Sequence, residues 1–206
     1  MKKYILLSTL LFGLLMSAFA TTTIGVLPYK IAYEGRIPKK YTTEEIQAYR
    51  LQDGRSYQAS MINYLTKMNR KRSNKALNVT VLSQHQIDAL IAEKNISAEQ
   101  IDSLTNNELA KILGITHVVL GSATRTFIMS DELSLGISAA SILTGQPMIN
   151  ATANISLIST LENVATNGTV FSRQFNRTTS ATHSDEKSLR DAFRKSSRRM
   201  FRALRD

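Results

Sequence analysis

One stretch, Asn107 to Thr126 (NELAKILGITHVVLGSATRT), constrains the fold of this chain more than any other. Leu109, Ile112 and Leu113 recur at the spacing of a single helix face. Gly114 follows the last apolar position, where a residue at positive φ can end a helix without a Cβ penalty. His117, Val118, Val119 and Leu120 then form an apolar run bounded by Gly121, which reads as a buried strand continuing through Ala123 to Ile128. A helix stopped by glycine and followed at once by a buried strand is an α/β unit. The remaining segments are read around it.

The N-terminus carries Lys2 and Lys3, an apolar run from Ile5 to Met16, and Ala18-Phe19-Ala20. That is a charged region, an apolar segment too short to span a bilayer, and an A-x-A cleavage site, so residues 1–20 read as a secretory signal. The chain has no Cys, which excludes a lipid-bearing cysteine at the cleavage point. Residues 21–206 are expected to form one domain, periplasmic or secreted. A chain of that size can hold a core without disulfides or metals. Loss of the two signal lysines takes the formal charge from +10 to +8, a basic balance that favours association with acidic surfaces.

Thr22 to Ile31 is the first strand, with Pro28 either ending it or leaving it as an edge. Residues 32–43 read as loop. A helix follows from about Thr43 to Arg70, with a break suggested near Asp53-Gly54. Its second part places Tyr57, Met61, Tyr64, Leu65 and Met68 on one face, which reads as core packing. Lys67, Arg70, Lys71, Arg72 and Lys75 then crowd together. This cluster is either a basic patch for phosphate, lipid head groups or an acidic partner, or a solvated helix end whose cations complement the dipole.

Asn78 to Ser83 alternates and reads as the second strand. Ser83 can cap a helix whose apolar face is Ile87, Leu90 and Ile91, and Ser97 with Gln100 reads as a capping box. Between Met129 and Met148 the apolar residues Leu133, Leu135, Ile137, Ile142 and Leu143 are separated by small ones. The segment is a strand with a helical turn, an apolar flap offering a partner site, or a packed connection. Ala151–Thr160 and Thr169–Thr179 alternate and read as an antiparallel pair with one wet face, turning at Asn167-Gly168.

The last helix, Ser184 to Arg205, has an apolar stripe of Leu189, Phe193, Met200 and Leu204. Arg190, Arg194, Lys195, Arg198, Arg199, Arg202 and Arg205 occupy its other faces. Such a helix either lies on an anionic membrane or acidic partner, or packs on the core with its basic side in water.

The constellations that carry chemistry are missing from the sequence. His85, His117 and His183 stand on different elements without metal-binding spacing, and His117 reads as a core imidazole. No P-loop, G-x-G-x-x-G or G-x-S-x-G occurs. The six N-x-[ST] sequons, at Asn78, Asn95, Asn150, Asn154, Asn167 and Asn176, are what an Asn- and Thr-rich chain gives by chance. No enzyme is expected, and no cofactor or metal is assigned.

Ile87, Leu90 and Glu93, then Leu109, Ala110, Leu113, Gly114, Gly121 and Ser122, together with Ile24-Gly25-Val26-Leu27-Pro28, carry a family likeness. The run from Val79 to about Thr126 resembles the core of the curli-secretion-channel family, of the outer-membrane lipoproteins that activate penicillin-binding proteins, and of the TolB N-terminal domain. The lipid-bearing Cys of the lipoproteins is missing here, as is a clear pair of amphipathic pore hairpins unless 129–148 contains one.

The expected architecture is a single α/β domain ordered β-α-β-α-α-β-β-β-α, with a mixed sheet and helices mainly on one face. The resemblance implies a non-catalytic envelope protein that binds another protein. Candidate partner contacts are Arg190, Arg194, Arg198, Arg202, Leu135, Ile137, Ile142 and Leu143. The second expectation is a binder of anionic lipid or cell-wall polymer through Lys67, Arg70, Lys71, Arg72 and Lys75 together with the last helix. Nucleic acid is not an expected partner.

Overall fold

The computed structural model describes residues 21–35, 42–72, 78–130, 139, 141, 151–180 and 185–205. The expected signal segment, Lys75, Leu135, Ile137, Ile142 and Leu143 lie outside the described residues. In chain order the elements are β1 (Thr22–Val26), β2 (Lys30–Gly35), α1 (Thr43–Arg72), β3 (Val79–Val81), α2 (Gln84–Glu93), α3 (Ala98–Ser103), α4 (Asn106–Ile112), β4 (His117–Phe127), β5 (Ala151–Asn163), β6 (Gly168–Ser180) and α5 (Asp185–Ala203).

The strands form one mixed sheet in the order β3-β1-β4-β5-β6, with β2 also paired to β4. β3, β1, β2 and β4 are parallel, and β4-β5-β6 is an antiparallel meander. The segment 32–35, expected as loop, is therefore strand. Val26 pairs with Val119, but Lys30 pairs with Ser122, so one extra residue is accommodated at Leu27-Pro28-Tyr29. Pro28 has no N–H for the ladder, and the chain bulges there before resuming the strand.

The bulge turns Tyr29 inward, and two glycines make room for it. A Cβ at Gly121 would stand 1.9 Å from the Tyr29 ring, and one at Gly54 would stand 2.4 Å from the Tyr29 carbonyl oxygen. The Tyr29 N–H donates to the Gly54 carbonyl at 3.1 Å, and Gln58 Nε2 donates to the Val26 carbonyl at 2.7 Å. Gly54 thus marks where α1 touches the sheet, and α1 runs unbroken through it, contrary to the expected interruption.

Val119 and Val118 of β4 point to opposite faces and open two cores. On one face Ile24, Val26, Tyr29, Met61, Leu65, Leu157, Leu161, Phe193 and Met200 pack between the sheet and the long helices α1 and α5. On the other, Leu27, Ile87, Leu109, Leu113, Ile115 and Val118 pack beneath short helices. Both long helices share one face, as expected, while the short ones cover part of the other. Among the described residues these short helices number three, because capping boxes at Ser83/Gln86, Ser97/Gln100 and Thr105/Glu108 each start one. Gly114 has φ +68° and ends α4 as its position suggested.

Candidate functional site

The direction of the strands decides where the charged helices end. Gly35 of β2 pairs with Phe127 of β4, Phe127 with Ala153 of β5, and Ala153 with Thr179 of β6. β2, β4 and β6 therefore finish at one end of the sheet. α1 follows β2 and α5 follows β6, so both helices start at that end, run back side by side and finish at the other. Asn69 Nδ2, in the last turn of α1, donates to the Val79 carbonyl at the start of β3 (2.7 Å), which fixes the direction.

The C-termini of α1 and α5 consequently form one pole of the molecule. Lys67, Arg70 and Lys71 come from α1, and Arg198, Arg199, Arg202 and Arg205 from the end of α5; all are largely exposed. Arg72 is the final residue of α1. No acidic residue follows Asp53 in α1 or Asp191 in α5. Lys67 Nζ stands 5.5 Å from the centre of the Tyr64 ring, and Arg194 is bonded to Asp191 at 2.9 Å. Two parallel helices bring two partial negative charges to the pole, and cations in each last turn offset them. That effect dies within a turn, so it does not account for Lys67, Arg194, Lys195 or Arg198.

The apolar stripe of α5 faces the core: Phe193, Met200 and Phe201 are buried, as are Ser188, Ala192, Ser196 and Ser197, and Leu189 and Leu204 are partly buried against the same cluster. The helix packs on the core through this side and leaves its basic side exposed.

Arg190 belongs to a different feature. With Glu186, Leu189 and Phe193 it lines a groove of about 390 Å³ between α5 and α1, opposite Asp53, Ser56, Tyr57, Ser60, Asn63 and Tyr64, with Arg125 at its base. Arg190 and Arg202 are twelve residues apart on one helix, about 18 Å. At this end Asp53 accepts from the Tyr33 hydroxyl, and the Arg125 guanidinium lies 4.8 Å from the Phe127 ring centre. Burial, helped by the Asp53 carboxylate, pushes the Tyr33 phenol above its ordinary range, so it stays protonated. The sequence had signalled Arg190 by its helix but not Arg125, Tyr33 or Asp53, which only the sheet and α1 bring together.

His117 is half-buried in β4, with Thr116 Oγ1 3.2 Å from Nδ1, and burial holds its pKa below the ordinary value. Among the described residues no group of three His, Asp or Glu could hold a metal ion. Among them too, no helix is long and apolar enough to cross a membrane.

No family model matches the chain, and no curated protein matches it. Solved structures similar to it include the LpoB C-terminal domain from Salmonella enterica (14% identity, 81% of this chain and 92% of that one, TM-score 0.36). Others are the PelC dodecamer from Paraburkholderia phytofirmans (12%, 85% and 86%, TM-score 0.41) and a lipoprotein from Neisseria meningitidis (12%, 88% and 99%, TM-score 0.45). At these scores the likeness assigns no partner or role to the chain.

Proposed function

We propose that this is an exported accessory protein of the bacterial envelope that works by binding an acidic partner protein, without chemistry of its own. The observation that supports it is the convergence of Lys67, Arg70 and Lys71 with Arg198, Arg199, Arg202 and Arg205 on one pole. The charge there exceeds what helix dipoles call for. With Phe193, Met200 and Phe201 of α5 buried and Leu189 and Leu204 packed against the core, the helix has little apolar surface to insert into a bilayer, and its outward face is dominated by charge. A folded acidic surface suits such a pole, and the protein-binding role agrees with what the sequence resemblance implies.

Crosslinking the mature protein in its own envelope fraction at low and high salt tests this. One acidic protein should be trapped, in a yield that falls with salt because exposed charges are screened within about 8 Å at physiological ionic strength. The yield should fall further for Arg198→Glu/Arg202→Glu. Equal trapping by that variant would sink the reading. Co-sedimentation with anionic vesicles or wall polymer, with no protein trapped, would replace it by a lipid or polymer binder.

A further inference from the structure

β6 is thirteen residues long and lies at the end of the sheet, with β5 on one side; among the described residues no strand pairs with its other side. Its sequence, GTVFSRQFNRTTS, contains no proline and no acidic residue. Nothing in it removes a ladder N–H along the free edge. Phe171, Arg173, Phe175 and Arg177 pair with Leu161, Ser159, Leu157 and Ile155, all buried on the face that carries α1 and α5. Arg173 and Arg177 therefore stand on the helix-bearing side of the edge, about 13 Å apart along the strand. α5 packs on that same side of β6 and adds its own exposed cations.

We infer that the free edge of β6 accepts an extended acidic segment of the partner protein as a seventh strand. Its backbone would complete the ladder, and carboxylates four residues apart would face Arg173 and Arg177. This rests on the protein-binding reading above and names where and in what conformation the partner binds. Like charges placed across a strand pair repel, so the arginines also disfavour β6 of a second copy.

The test uses the mature chain and three capped nonapeptides: one with Glu at positions three and seven among Thr and Val, one with Lys there, and the Glu peptide N-methylated along one edge. Amide hydrogen exchange across β6 is followed by NMR. The Glu peptide should slow exchange at alternate β6 amides, and the N-methylated one should not. Arg173→Glu/Arg177→Glu should weaken the Glu peptide about tenfold or more and accept the Lys peptide instead. Circular dichroism checks that this surface variant is folded. Protection confined to the ends of α1 and α5 would overturn strand addition and leave the acidic-partner reading standing. Absence of peptide binding together with sedimentation on anionic vesicles would overturn both. Concentration-dependent protection of β6 in the free protein would make a second copy the occupant, and so overturn the proposal.

Discussion

The Tyr29 ring occupies the space where a side chain at Gly121 would be, with a Cβ there falling 1.9 Å from the ring. The contact crosses from the Pro28 bulge to the middle of β4, the strand that lies between both cores. Gly121→Ala should cost about 3 kcal/mol, at or above the usual range for overpacking, because the obstacle is a buried ring. Denaturant unfolding measures this. Combining it with Tyr29→Leu should cost less than the sum of the two single changes, since removing the ring removes the clash.

Gly54→Ala sets two effects against each other. Helix propensity favours alanine by about 1 kcal/mol. The Cβ would stand 2.4 Å from the Tyr29 carbonyl oxygen, and it would push α1 off the bulge and its hydrogen bond. A net destabilisation is expected. Net stabilisation would mean that α1 does not approach the strand as described.

The Tyr29 hydroxyl and Ser159 Oγ meet at 2.9 Å in the core. Removing either partner alone strands the other in an apolar setting, at about 1–3 kcal/mol. Tyr29→Phe with Ser159→Ala should therefore cost less than the two changes added. A double-mutant cycle on unfolding free energies reads the coupling.

Thr105 and Glu108 cap α4 reciprocally, with the Thr105 N–H donating to Glu108 Oε2 at 2.9 Å. Thr105→Ala should cost about 1 kcal/mol. The hydrogen bonds from Thr105 hold the Glu108 carboxyl below its ordinary pKa. A carboxyl with a lowered folded pKa adds stability above its unfolded pKa and loses it as pH falls through the folded one. The stability gap between wild type and Glu108→Gln should thus be present at neutral pH and close on acidification. A gap that widens in acid would contradict the cap.

What was legible in the sequence was local. Gly114 stops α4, and Ser97 with Gln100 starts α3, because each motif is complete within a few residues. β2 was legible only at its start: Pro28 left a strand end or a continuing edge open, residues 32–35 read as loop, and only Gly54 and Gly121, distant in sequence, show how the chain absorbs a bulge and continues. The third capping box was missed because Thr105 sits beside the more conspicuous helix it starts. Both basic clusters were visible as composition. Their meeting was not, since it follows from the direction of β6, and that depends on pairing along the whole meander. The same pairing separates Arg190 from the pole and gives it to the groove with Arg125.

Contact at the basic pole is read most directly by a photo-crosslinking residue placed in turn at positions 67, 198 and 202, and at a control position 112 on α4, in intact cells. The prediction is a single acidic protein captured from the three pole positions and not from 112, with capture at 202 lost when Lys67→Glu and Arg198→Glu are also present. Capture from 112 alone, or lipid adducts at the pole in place of a protein, would contradict it.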